Sequence, residues 1–227
     1  MTGTDLKDTR RKAKWTQAEA ASKLGLTQAY LSMVESGHRP VTSSLAELAM
    51  KVFDLPPTVL PLESAESSMD ENELQADLGK LGYPGFAYVR GKPRRNPAQL
   101  LLSALDHSDL DSRLVEALPW LTFTYADMDW DWLVMNAKVR DRQNRLGYVI
   151  TLARKLDRKG TDSARSKKLE TIQHLLERSR LAGEDTLCHD SMTQAERKWL
   201  RSRRPREARH WNLLTDLDVR NLAYASE

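Results

Sequence analysis

The chain has a single cysteine, Cys188, among 227 residues, which excludes an internal disulfide and leaves a thiolate zinc site short of ligands. No stretch approaches the roughly 18 apolar residues that a membrane-spanning helix requires. Met1-Thr2-Gly3-Thr4-Asp5 also lacks the basic-then-apolar pattern of a leader. A cytoplasmic protein with no membrane segment is therefore expected. His-Glu-x-x-His is missing, and the five histidines His38, His107, His174, His189 and His210 are scattered, so neither a metal site nor a cofactor is expected. Cys188 and His189 make no nucleophile–base pair if they share a helix, where adjacent side chains point apart. Alternating strand patterns and internal repeats are scarce as well, which argues against a β-rich fold or a repeat array.

What is present is ordinary for a folded soluble protein, 40% hydrophobic and 30% charged, and long enough for one large domain or two to three small ones. The net charge of +3 is too small to identify a partner, but the charges come in blocks. Glu63, Glu66, Asp70, Glu71, Glu73 and Asp77 follow one another with no Lys or Arg between them. Arg197, Lys198, Arg201, Arg203, Arg204, Arg206 and Arg209 crowd a second region. Such blocks are either solvated surface or the marks of modules with different partners.

The apolar spacing is helical almost throughout. Leu45, Leu48, Ala49 and Val52 recur at i, i+3, i+4, i+7, and Leu169, Ile172, Leu175 and Leu176 form a similar stripe. From Trp132 the series Met135, Val139, Leu146, Val149, Ala153 and Leu156 predicts one long helix over 131–157, capped by Asp129 or Asp131 and interrupted only at Arg142. The Gly- and Pro-containing stretch 81–89 reads as an extended or turning boundary. Asn96-Pro97 predicts an N-cap and first helical residue ahead of Leu100, Leu101 and Leu105. A further helix through Leu114, Val115 and Leu118 is expected to end at Pro119. The fold class is all-α: a small helical domain at 1–62, an acidic linker and boundary segment at 63–95, and a helical module at 96–227 with its basic region at 197–209.

The first 60 residues carry the most specific signals. A first helix is predicted over 5–13, with Lys7, Arg10, Arg11 and Lys12 outward. Thr16 followed by Glu19 has the spacing of a capping box, which starts a second helix at Gln17 that ends at Gly25. Gly25-Leu26-Thr27 forms a short turn, Thr27 caps a third helix from Gln28 to Ser36, and Gly37 stops it. Ala18, Ala21, Leu24, Leu31 and Val34 are placed to pack together. Small residues let short helices cross closely. A fourth helix, 43–53, adds Leu45, Leu48 and Val52 before Pro56-Pro57.

The run Thr16-Gln17-Ala18-Glu19 through Gly25-Leu26-Thr27-Gln28 to Val34-Glu35-Ser36-Gly37 resembles the Cro/repressor, or Xre-type, helix-turn-helix family. The resemblance implies a five-helix, lambda-repressor-like domain with its third helix in the major groove. Gln28, Ala29, Met33 and Ser32 would then face base edges: Gln28 suits bidentate pairing with adenine, and Ala29 offers a methyl group to thymine. Gln17, Thr27, Tyr30, Lys12, Lys14, Arg39 and His38 would meet phosphates, which set affinity and register rather than sequence. One such domain contacts a single half-site, so a homodimer on an inverted repeat is expected, with half-sites about 34 Å apart.

Two familiar partners of such a domain are excluded. A self-cleaving β-rich repressor domain does not fit, because Ala182-Gly183 leaves too little chain after it, and a zinc peptidase lacks its motif. No motif supports an enzyme. The most individual stretch holds Trp120, Trp130 and Trp132, followed by Arg142, Asn144 and Arg145. It reads either as an aromatic core or as a protein-binding surface. The region is faintly similar to C-terminal parts of antitoxin regulators, which implies a cognate toxin as partner. The alternative is a small effector pocketed by Trp120 and Trp130. Residues 197–209 would add phosphate contacts, face an acidic partner, or be a solvated helix.

Overall fold

The computed structural model describes residues 1–62, 69–156, 163–222 and 224. Glu63 and Glu66 of the acidic stretch and Asp157, the expected helix end, lie outside the described residues. The chain divides into two compact units, Met1–Glu63 with Pro93–Asn96, and Ser64–Lys92 with Pro97–Glu227.

The first unit contains α1 (Gly3–Lys12), α2 (Gln17–Lys23), α3 (Gln28–Glu35) and α4 (Ser43–Phe53). α1 starts two residues earlier than expected because Thr2 and Asp5 close a capping box. The fifth helical element is only a 3-10 turn, Pro57–Val59; proline suits its first position, but Pro61 biases Leu60 to the extended conformation and stops it. Leu6, Ala20, Ala21, Leu24, Leu31, Val34, Leu45 and Ala49 form the core. Ala18, expected inside, is exposed, and Ala20 takes its place. Asn96 joins this unit by donating from Nδ2 to the carbonyls of Thr58 at 2.9 Å and Leu60 at 2.7 Å.

The second unit is also helical: α5 (Glu71–Lys80), α6 (Pro97–Asp106), α7 (Ser112–Thr124), α8 (Trp130–Val139), α9 (Gln143–Leu156), α10 (Ser163–Glu177), α11 (Gln194–Arg203) and α12 (Arg206–His210). One minimal parallel pair, β1 (Asp185–Thr186) with β2 (Leu213–Leu214), is added to it. Much of the presumed acidic linker is thus structured. Asp70 caps α5 through a box with Glu73, and Leu74 and Leu78 are buried beneath exposed acids. Asp77, from the same acidic block, is by contrast buried and paired with Lys80 at 3.0 Å.

Three helix expectations need correction. α7 runs through Pro119 to Thr124; the lost N–H is tolerated because Leu118, Pro119 and Leu121 are all buried, and their burial offsets one missing bond. The long helix over 131–157 is two helices. Asp141 adopts a left-handed φ of 57°, while the N–H groups of Asp141 and Arg142 return to the carbonyls of Lys138 and Ala137, which is a Schellman ending. Leu175, placed in the α10 stripe, faces outward, and Leu169, Ile172 and Leu176 carry the packing.

α9 runs through the core of this unit, with ten of its residues buried. At Gly147 an added Cβ would stand 2.4 Å from the buried Trp211 ring, so glycine permits the indole to lie on the helix. Trp211 Nε1 then donates to Thr151 Oγ1 at 2.9 Å. Burying the apolar ring is favourable, whereas the indole N–H requires such a partner.

Candidate nucleic-acid interface

The connection between α2 and α3 follows from three local devices. Thr16 Oγ1 accepts from the Glu19 N–H at 3.2 Å, and Glu19 Oε2 accepts from the Thr16 N–H at 2.7 Å. The α2 end closes with Leu26 N–H donating to the Ala21 carbonyl at 2.8 Å around Gly25, whose φ is +60°. That left-handed turn favours glycine. Thr27 Oγ1 then accepts from the Tyr30 N–H at 3.2 Å and opens α3.

α3 buries Leu31, Val34 and Glu35. Gln28, Ala29, Ser32 and Met33 are all exposed and span about 140° of arc at ~100° per residue. The four expected base-reading side chains therefore share the solvent face of one helix. Met33, at 40% exposed, presents a large apolar side chain to solvent on this face. Tyr30 differs: it is half-buried against the domain core. The Thr27 hydroxyl is engaged in capping.

Glu35, quoted in the sequence signature without a role, organises the interior edge of this surface. Arg10 Nε and Nη2 donate to its two oxygens at 2.6 and 2.9 Å, and Gln17 Nε2 donates to Oε2 at 3.0 Å. Burial opposes its ionisation, yet the hydrogen bonds from Arg10 and Gln17 hold its carboxyl below the usual range. Gln17, expected at a phosphate, is thus oriented from behind. Its amide has two hydrogens, so one remains for an anion near the α2 N-terminus, where the helix dipole is favourable. Lys12, Lys14 and Arg39 are exposed cations around this unit. Arg39 is tied to the α3 end through its N–H to the Met33 carbonyl at 3.2 Å. His38 Nδ1 lies 2.7 Å from Ser36 Oγ.

Residues 6–60 match the family model described as Helix-turn-helix. This segment is an Xre-type helix-turn-helix domain, and through it the chain is a DNA-binding transcription regulator. No curated protein and no solved structure matches the chain. Among the described residues no helix is long and apolar enough to cross a membrane.

The aromatic stretch of the second unit mostly serves the fold. Trp130 is buried, with Nε1 donating to the Ala126 carbonyl at 2.9 Å, and Trp120 packs edge-on against Tyr83 and Tyr125. Asn144 is buried and exchanges two hydrogen bonds with the Leu181 backbone. Arg145 is buried too, bidentate on Asp185 at 2.8 and 2.9 Å and donating to the Leu105 and His107 carbonyls. Arg142 pairs with Asp106. Of the proposed partner surface, Trp130, Asn144 and Arg145 are therefore inaccessible, because bulky and charged groups there satisfy one another inside the unit. Trp120, Trp132 and Arg142 stay partly exposed.

Cys188 lies outside the helices and is fully buried, and burial pushes its thiol up to about 11. A thiol so held is a poor nucleophile at neutral pH. The basic region is partly engaged within its own unit: Arg201 and Arg204 pair with Glu184 at 2.7 and 3.6 Å, and Arg197 donates to the Asp190 carbonyl at 2.8 Å.

Proposed function

We propose that the protein is an autoregulating repressor that binds an inverted-repeat DNA operator as a homodimer and acts as an antitoxin, its helical module holding a cognate toxin. The observation that carries the DNA reading is the shared solvent face of Gln28, Ala29, Ser32 and Met33 on α3. Their spacing suits a major groove, and the exposed cations supply phosphate contacts. The toxin reading draws support from exposed Trp199 with the Arg203 guanidinium 5.3 Å over its ring, next to further exposed cations. Trp and Arg are the residues that anchor protein interfaces, and their charge fits an acidic partner.

Footprinting with the full chain tests the first part, expecting two protected half-sites about one helical turn apart. Co-expression and pull-down with the product of the neighbouring reading frame tests the second. No co-purification would reject the antitoxin role and leave DNA binding standing.

A second reading, regulation by a small effector, is favoured by a cavity of about 330 Å³ lined by Val115, Glu116, Leu187, Met192, Leu200 and Asp216 among others. Its size lies at the low end for ligand sites. Neither Trp120 nor Trp130, the residues expected to line such a pocket, contributes to it. Operator release by metabolites without any protein partner would favour this reading.

A further inference from the structure

α8 has two apolar faces where a surface helix needs one. Trp130, Leu133, Val134 and Ala137 are buried. Trp132, Met135 and Val139 lie on the opposite side, with Met135 58% and Val139 79% exposed. Spacing of i, i+3, i+7 places these three on one outward stripe. Trp132 is partly covered by its own unit, while Met135 and Val139 are left largely open.

The charges beside it are arranged by end. Asp131 stands at the first turn and Lys138 at the last, separated by seven residues and hence on the same flank of the stripe. Among the described residues neither has an ion-pair partner. Nearby Arg140 and Arg142, by contrast, are both engaged by Asp106.

We propose that the outward face of α8 is the self-association surface, pairing antiparallel with α8 of a second copy across a two-fold axis. This rests on the homodimer reading above and names its contact. In an antiparallel pair the same flank of each helix faces the same side. Asp131 of one copy then approaches Lys138 of the other, twice by symmetry. Met135 meets Met135 near the axis, and the large Trp132 covers Val139 of the second copy. A parallel pair would set the charged flank against the other flank, which carries Asn136, and leave the charges unmatched. Charge complementarity therefore selects both the occupant and the direction.

The contact is small. A helix of 10 residues is about 15 Å long, so two such faces bury an area at the low end of specific interfaces, below about 1,200 Å². The free dimer is correspondingly weak, and two adjacent half-sites stabilise it by holding the copies together.

Analytical ultracentrifugation of the full chain over a concentration series tests this directly. Wild type is expected to dimerise at micromolar concentrations, and Met135→Lys to raise the dissociation constant about tenfold or more. Asp131→Lys and Lys138→Glu should each weaken the dimer, and the double variant should recover to within about threefold of wild type. Circular dichroism and melting of each variant establish that α8 is intact. A wild type monomeric up to ~100 μM both free and on operator would overturn the contact and the homodimer reading together. A dimer unaffected by Met135→Lys, or charge variants that do not rescue one another, would overturn the α8 surface alone. So would variants that keep self-association but lose a co-purifying protein.

Discussion

Arg10 grips Glu35 through two parallel hydrogen bonds, at 2.6 and 2.9 Å, and joins the first helix to the end of the reading helix. The Glu35 carboxyl is buried and accepts a third bond from Gln17, so the pair is both a structural tie and a support for a proposed phosphate contact. Removing one partner of such a pair leaves an uncompensated charge. Arg10→Ala is expected to destabilise the helix-turn-helix by about 3–5 kcal/mol, measured as loss of its melting transition in the full chain. The pH dependence has a definite sign. Because the Glu35 pKa is lowered on folding, its contribution is complete above the unfolded value of about 4.3. It declines as pH falls through the lower folded value. Glu35→Gln should flatten that acid limb of a stability–pH curve; an unchanged limb would refute the assignment.

Gln28 and Lys12 should separate reading from positioning. Gln28 is exposed at the start of α3, and Lys12 is exposed at the end of α1. Gln28→Ala is expected to cost about 1–3 kcal/mol on the preferred operator and to relax selectivity at one base pair. Lys12→Ala should weaken all sequences alike and reduce the slope of log affinity against log salt by about one. Quantitative binding to a library of operator variants at two salt concentrations distinguishes the two outcomes.

The helix-turn-helix was legible because its signals are local. Thr16 with Glu19, Gly25, Thr27 and Gly37 each act within four residues of themselves, and each performs its expected turn or cap. The role of Glu35 was missed although a signal existed, since Leu31, Val34 and Glu35 share the i, i+3, i+4 face that points inward. No comparable signal marks Arg145, whose partner Asp185 lies 40 residues away. Charged and tryptophan residues there looked like surface because burial of a charge depends on a partner that only tertiary folding supplies. The break after α8 failed for a different reason. Its apolar period continues in phase past Asp141, and only the polar Arg142 interrupted it.

Arg145 should therefore behave as a core residue of the second unit. Its guanidinium is 1% exposed and holds Asp185 together with two backbone carbonyls. Burial disfavours its charge, but the Asp185 hydrogen bonds raise its pKa overall, so it stays protonated throughout the accessible range. Arg145→Met removes the charge and leaves the Leu105 and His107 carbonyls without this donor. A loss of about 3–5 kcal/mol is expected, with Arg145→Lys only partly restoring it because a point charge cannot reproduce the fork. Denaturant unfolding with the tryptophans as reporters provides the measurement. A stable Arg145→Met variant that lost only partner binding would instead place this residue on a functional surface.

The paired arginines of the C-terminal basic region give the last expectation. Arg201 and Arg204 both engage Glu184 within the same unit, and the Arg201 hydrogen bond is the main reason the Glu184 carboxyl lies below its usual range. Both guanidiniums are already directed at the one Glu184 carboxylate, which leaves the cluster a single net positive charge and few counterions to release on meeting a phosphate. Arg201→Ala combined with Arg204→Ala is thus expected to leave the salt slope of operator binding unchanged. Arg201→Ala alone should leave stability nearly unchanged because its pair is exposed, whereas Arg204, 14% exposed and donating to the Leu213 carbonyl at 3.0 Å, should carry most of any loss. Lys198, Arg206 and Arg209 stand exposed in the same region and serve as the contrast. If the double variant lowered the slope by about two, these arginines would contact DNA, and the acidic-partner assignment of this region would fail.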